Sequence, residues 1–351
     1  MKCIQADYVK IFQCDGKICN SRCCRDWQVP VDADILKKFQ ELEENDRAEI
    51  FKNFVEVEEN FHAIKLTPQN KCSFLNADFL CKIQKRHGEN FLPAICQTYP
   101  RVIYKLDAEI FLQSMTLTCP VAARLILLRE DKIFFEVAEN FSGRMIIDFT
   151  KKISASAEEF LNLQFGAIKI LQDRNFSINQ RLKKLCDYFG VKNFSAFDAE
   201  RHAAALVEIF AEMYQANLDA QGKKTLCRNY LSTYKNLLAQ MEQNFSHILE
   251  NYLVNEFFMR CYPCAFKGDE LLNCKIFVTA FKVLQFALVL TTIANKNFTV
   301  GELIKLVCAV NDTLDHSKGG MNAIINFAKS ADDEIFSALM IESLQELGIR
   351  S

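Results

Sequence analysis

Apolar positions recur at helical spacing after Pro30, where Ile35, Leu36, Phe39 and Leu42 alternate with charges; Asp32 or Asp34 stands ready to cap a helix running toward Phe51. A second, acidic helical turn is expected over residues 55–61. From residue 66 to 120 the periodicity dissolves, and Pro68, Pro93, Pro100 and Pro120 punctuate the segment. Within it, residues 102–118 (VIYKLDAEIFLQSMTLT) are rich in β-branched and aromatic residues around a polar step at 106–109, which predicts a β-hairpin. Pro93 opens a short helix through Tyr99 and Pro120 another through Leu128, because a first-turn N–H has no helical partner and its loss is harmless. Residues 132–137 read as a short strand.

Beyond that strand the pattern is almost wholly helical. Ser156 to Glu159 and Thr299 to Glu302 have capping-box spacing, and Ser177 starts a helix that Gly190 ends. Further helices are expected at about 196–217, 224–259, 272–294, 299–314 and 320–346, with Gly319 and Gly320 in a turn. Residues 276–294 are apolar enough to suggest a membrane span, but Lys282 and Gln285 near the middle favour a buried core helix, and no membrane span is expected. The predicted fold is mainly α: a small cysteine-rich domain of loops and short helices with a β-hairpin over residues 1–130, packed on a larger helical domain over 131–351.

Half the residues are apolar, thirty are Phe, and the formal charge is −2; this excludes a disordered chain and a strongly basic surface, so no nucleic-acid partner is expected. The amino terminus shows no charged region followed by an apolar run and cleavage site, which places the protein in the cytoplasm. Fifteen cysteines in a reducing compartment point away from structural disulfides and toward metal. Nine of them fall at or before Cys119.

The densest stretch is CDGKICNSRCC, with Cys14, Cys19, Cys23 and Cys24, and it is followed by Cys72, Cys81, Cys96 and Cys119 on turn-like surroundings. Eight thiols suffice for one four-thiolate group with spares or for two sites, and zinc and iron–sulfur both accept such ligands. The plain alternative is that these are small buried hydrophobes. Cys261 and Cys264, with Cys274 nearby, interrupt long helices and read as buried thiols, as do Cys3, Cys186, Cys227 and Cys308. Trp27, the single tryptophan, is placed to shield the cysteine run.

The same residues carry a family resemblance. CDGKICNSRCCRDW, CSFLNADFLCKIQKRHGENFLPAICQTYPR and TLTCPVAARLIL resemble the signature of the flagellin lysine-N-methylase family, over roughly residues 8–128, and Glu250 to Asn255 (ENYLVN) resembles its helical region more loosely. The resemblance implies a methyltransferase, a protein-lysine N-methylase that moves a methyl group from S-adenosylmethionine to lysines of flagellin, the subunit of the bacterial flagellum. It further implies a [4Fe-4S] cluster, or zinc, on the eight cysteines. Arg101 and Tyr99 are the candidate cofactor-binding residues; Arg101 is placed to meet either the donor's carboxylate or a protein acid. Lysine must lose its proton to attack, and Asp26, His87, Glu89 and Tyr99 are the polar candidates, with no catalytic residue assigned. No glycine-rich phosphate-type loop and no Cys-x3-Cys-x2-Cys triplet is present, so any donor site is built differently. The alternative function is a non-enzymatic module in which zinc or an iron–sulfur group staples the loops and the helices bind a partner.

Overall fold

The hairpin predicted from β-branched residues forms around Asp107, whose side chain accepts hydrogen bonds from the N–H groups of Glu109 (2.8 Å) and Ile110 (2.7 Å) and so turns the chain. The computed structural model describes residues 1–336 apart from 59–60, 140, 142, 154–155, 192–197, 296–298, 318 and 332–335. The chain divides into two units, one of Met1–Ala122 with Phe135–Phe149 and one of Ala123–Phe134 with Thr150–Ser351.

In the first unit the strands are β1 (Lys2–Ala6), β2 (Pro30–Val31), β3 (Phe54–Glu58), β4 (Phe61–Ile64), β5 (Arg101–Lys105), β6 (Ile110–Met115), β7 (Phe135–Ala138) and β8 (Ile147–Asp148). The hairpin β5–β6, with Ile103 opposite Gln113, becomes the middle of a five-stranded sheet of order β7-β1-β6-β5-β8, in which β1 runs parallel to β6. A second sheet has the order β2-β4-β3. Its β3–β4 hairpin replaces the acidic helical turn expected over 55–61. Val55 and Val57 alternate with Glu56 and Glu58, a period-2 pattern that the density of charges had obscured, while Phe54 and Ile64 are buried.

Five short helices connect these strands: α1 (Gly16–Cys19), α2 (Ala33–Gln40), α3 (Glu44–Lys52), α4 (Lys82–His87) and α5 (Ala94–Thr98). The single helix expected from Asp32 toward Phe51 is thus two, α2 and α3. A straight helix would hold Ile35 and Ile50 about 22 Å apart. Breaking it lets both enter one apolar cluster with Phe39, Phe54, Phe74, Ile83 and Leu92. Asp32 does cap α2, accepting from the Ile35 N–H.

Helix α6 (Pro120–Leu127) follows, and the second unit contains α7 (Ala157–Leu171), α8 (Ile178–Tyr188), α9 (Ala199–Met213), α10 (Ala220–Met259), α11 (Glu270–Ala294), α12 (Val300–His316) and α13 (Gly320–Ser330). Capping boxes form at Ser156, Ser177 and Thr299. Helix α10 kinks at Phe245, where φ and ψ leave the helical region. The last expected helix, 320–346, stops at Ser330, because Ala331 turns extended (φ −72°, ψ 117°); the rest to residue 346 falls outside the described residues, Phe336 apart.

Helix α11 is long and apolar enough to cross a membrane by length and composition, yet it is the central core helix of this unit: Asn273 through Val289 are all buried. Its Lys282 is 1% exposed and donates to Asn179 Oδ1 at 2.9 Å. Burial drives this amine down to about 7, partly opposed by the nearby Cys186 and Glu242. The stretch from Glu250 to Asn255 is buried throughout. Glu250 accepts from Arg174 and from Arg181 (2.7 Å), and Asn251 donates to the carbonyls of Leu127 and Arg129. These are structural ties within the bundle.

Candidate metal centre

The cysteine run folds by a tight reversal. Asp15 caps α1 by accepting from the N–H groups of Lys17 and Ile18, and the chain then passes through left-handed Asn20 and Ser21 (φ 51° and 49°). Gly16 packs so closely on the Phe79 carbonyl that a β-carbon would collide with it, and Ser21 Oγ donates to the same carbonyl at 2.5 Å. That latch lies two residues before Cys81. A second latch joins Cys72 N–H to the Cys24 carbonyl (2.8 Å) and Asp26 N–H to the Asn70 carbonyl (2.8 Å). The opening cysteine run and the Cys72–Cys81 loop are therefore zipped together by backbone hydrogen bonds.

The other two cysteines are placed by helices. Cys96 rides on α5, whose first N–H, from Ala94, donates to Asp32 Oδ2 at 2.8 Å. Asp32 thus holds two helices at once, a role its reading as a helix cap did not reveal. Cys119 stands immediately before α6.

Six of the other seven candidate thiols lie within electrostatic reach of Cys23. Cys24 S–H donates to the Cys23 sulfur, which lowers the Cys23 thiol against the opposing effect of burial. The charge on Cys23 acts in turn on Cys14, Cys24, Cys72, Cys81, Cys96 and Cys119. Two groups are visible. Cys24, Cys72, Cys81 and Cys96 pack against the apolar cluster of Ile35, Phe39, Phe74 and Ile83. Cys14 and Cys119 instead neighbour Cys19. Burial raises Cys14 and Cys72 to about 11 and Cys119 to about 12, and lifts Cys81 and Cys96 as well.

Backbone N–H groups already point at three of these sulfurs: Phe74 and Leu75 at Cys72, Ile83 and Gln84 at Cys81, Val121 and Ala122 at Cys119. Such donors stabilise a thiolate over a thiol, which is the form a metal binds. Arg101 supplies a matching cation: it is near Cys14, its guanidinium lies 5.3 Å from the Phe12 ring, and its Nε is buried without a hydrogen-bond partner among the described residues. An anionic thiolate group would complement that guanidinium. In donor chemistry the residues therefore fit a thiophilic metal. Their spacing is not closed: among the described residues, no group of three or more His, Cys, Asp or Glu side chains stands where it would hold a metal ion.

The remaining candidates take up different places. Tyr99 OH lies 3.2 Å from Thr118 Oγ1, beside Cys119. Trp27 is 39% exposed, and its indole N–H donates to the Cys23 carbonyl at 2.8 Å and holds that loop. Asp26 is exposed, at φ 66°, and Glu89 is exposed near Arg101. His87 sits with its Nε2 3.6 Å from Asp46 Oδ2. Cys261 and Cys274 are fully buried, with burial prominent in raising both thiols, and Cys186 bonds Cys274 as a packing pair.

Residues 13–120 match a family described as "Putative zinc- or iron-chelating domain", and residues 182–341 match the FliB lysine N-methylase C-terminal domain. The first family is named for a CxxCxxCC run, and the spacing here is wider, Cys14-x4-Cys19-x3-Cys23-Cys24. The chain is 28% identical over 147 residues to a flagellar biosynthetic protein FliU of Salmonella muenchen, covering 40% of this chain and 85% of that one. It is 29% identical to proteins named lysine-N-methylase from Salmonella choleraesuis (127 residues) and Salmonella typhimurium (125 residues), covering 34% of this chain. The match spans 31% of the length of each of those two relatives. No solved structure matches. The chain thus resembles a zinc- or iron-chelating cysteine domain in its amino-terminal part and the FliB lysine N-methylase carboxy-terminal domain in its second half.

Proposed function

We propose that the protein is a lysine N-methyltransferase acting in the cytoplasm, which transfers the methyl group of S-adenosylmethionine to lysine side chains of flagellin. The observation that supports this reading is that six thiols lie within electrostatic reach of Cys23, three of them receiving backbone N–H donors, in a chain whose later part matches the FliB lysine N-methylase C-terminal domain. The reaction forms a C–N bond from the lysine lone pair while the sulfonium C–S bond breaks, its electron pair going to sulfur and the lysine proton to a base or to water. Cys24, Cys72, Cys81 and Cys96 would hold one metal group, with Cys14, Cys19, Cys23 and Cys119 as the remaining donors. When bound, such a group, a [4Fe-4S] cluster or zinc, supplies a Lewis-acidic centre and folding energy to the loops. Arg101 balances the thiolate charge, and Asp32 and Trp27 hold Cys96 and Cys23 in place.

The test is incubation of the metal-loaded chain with flagellin and methyl-labelled S-adenosylmethionine. Label on lysine is expected; none, with the metal shown intact, overturns the reading. Anaerobic purification separates the metals, since an iron–sulfur protein is brown and a zinc protein colourless.

A further inference from the structure

Between α3 and α4 of the first unit lies a cavity of about 520 Å³ that none of the candidate metal ligands lines. Sites for small molecules run from roughly 300 to 1,000 Å³. Its floor is apolar and firm: Ile50, Phe74 and Ile83 are each 4% exposed or less. Its rim carries both signs of charge, with Asp46 and Glu49 from α3 facing Lys82, Lys85 and Arg86 from α4. Asn76 adds amide donors; its Oδ1 already accepts from the N–H groups of Asp78 and Leu80, which leaves Nδ2 for a ligand.

We propose that this cavity is the methyl-donor pocket and takes S-adenosylmethionine, a nucleoside that carries a carboxylate, an ammonium and a sulfonium. The proposal rests on the methyltransferase reading above and adds the place where the donor sits. Three features select this ligand class. A purine needs an apolar surface and an amide partner, which the floor of Ile50, Phe74 and Ile83 and the Asn76 side chain supply. A zwitterion needs both signs at the rim, and Arg86 offers a planar fork for the carboxylate while Asp46 and Glu49 face the cations. An acceptor lysine alone is a thin rod with one positive charge; it would fill a fraction of the volume and leave the basic side without a counterpart.

The rim groups currently satisfy one another. Arg86 bonds Asp46, and reaches Glu49 at 3.2 Å, while His87 Nε2 lies 3.6 Å from the second Asp46 oxygen. A ligand bearing the same charges replaces these pairs one for one, which avoids leaving any charge unpaired. The pocket also lies against the thiols. Phe74 and Ile83 belong to the apolar cluster on which Cys24, Cys72, Cys81 and Cys96 pack, and the Lys82 N–H donates to the Phe74 carbonyl at 2.8 Å, closing the loop that contains Cys81. Two residues of the pocket floor thus belong to the apolar cluster that four candidate metal ligands also touch.

The experiment is equilibrium dialysis of the metal-loaded full chain with S-adenosylmethionine and with its demethylated product S-adenosylhomocysteine, comparing wild type with Glu49→Gln, Asp46→Asn and Arg86→Gln. Glu49 is 58% exposed at its side chain, so Glu49→Gln leaves folding intact even if Asp46→Asn does not. Loss of a charge-assisted contact predicts donor binding weakened roughly 10- to 100-fold in each variant. The two acid variants should weaken the product less, because its sulfur is neutral. Photocrosslinking of bound donor should label residues within 46–50 or 74–87. If wild type binds the donor and all three variants bind it equally, or the crosslink falls elsewhere, the pocket assignment is overturned and the methyltransferase reading stands. If metal-loaded wild type binds no donor at all, both are overturned.

Discussion

Replacing Lys282 by Met should make the protein more stable at neutral pH, and the gain should vanish as pH rises. The amine lies at the centre of α11, 1% exposed, with Asn179 as its hydrogen-bond partner and with Cys186 and Glu242 as the ionisable groups acting on it. Burial lowers it from 10.5 to about 7. In the unfolded chain the amine keeps its proton up to about pH 10.5, so the native state is penalised wherever the two states differ in protonation. The penalty is absent above 10.5, grows by about 1.4 kcal/mol per pH unit as pH falls, and is complete below about 7. At pH 7 it is on the order of 4 kcal/mol. The lost bond to Asn179 returns about 1 kcal/mol, leaving Lys282→Met more stable by ~3 kcal/mol at pH 7 and by little at pH 9.5. Urea denaturation of both proteins at several pH values measures the difference, followed by far-UV circular dichroism because Trp27, the single tryptophan, belongs to the other unit. A variant that is less stable at pH 7, or whose advantage stays constant to pH 9.5, would refute the reasoning.

Single Cys→Ser variants should lower the metal content at Cys24, Cys72, Cys81 and Cys96 together, with Cys23 among the most damaging because its sulfur neighbours both groups; full metal in every variant would show the assignment wrong. Asp32→Ala should cost about 1–2 kcal/mol as a lost helix cap and also loosen Cys96, so that metal is released at lower chelator concentration, whereas Asp34→Ala, 73% exposed at its side chain, should do little. Glu250→Ala strips the buried Arg181 of its counter-charge and should destabilise by about 3–5 kcal/mol, read as a lower melting temperature; a loss under about 1 kcal/mol would contradict the role given to that pair.

Local signals were legible where the physics is local. The capping boxes at Ser156 and Thr299 and the start at Ser177 satisfy orphan helix N–H groups from three residues away, and all three appear in the structure. The hairpin at 101–115 follows from alternation and a turn-forming Asp107. The misreadings arose where burial decides. Residues 54–64 look acidic and helical in isolation, and pair as strands because Phe54 and Ile64 enter a core that Ile35 and Phe39 share. Strand β1, absent from the sequence reading, exists because β6 and β7, more than a hundred residues away, offer it hydrogen bonds on both edges.

The cysteine run Cys14–Cys24 shows the same division. Residue type alone determined that this protein carries a soft, thiol-rich donor set and a helical carboxy-terminal region. Which thiols approach one another was decided by tertiary structure: the Gly16 and Ser21 contacts on Phe79, the bond from Cys72 N–H to Cys24, and Asp32 bridging α2 and α5 gather sulfurs from segments about eighty residues apart. The cavity between α3 and α4 lies wholly outside what spacing encodes, since its charged rim and apolar floor come from two helices and a loop that only the shared core brings together.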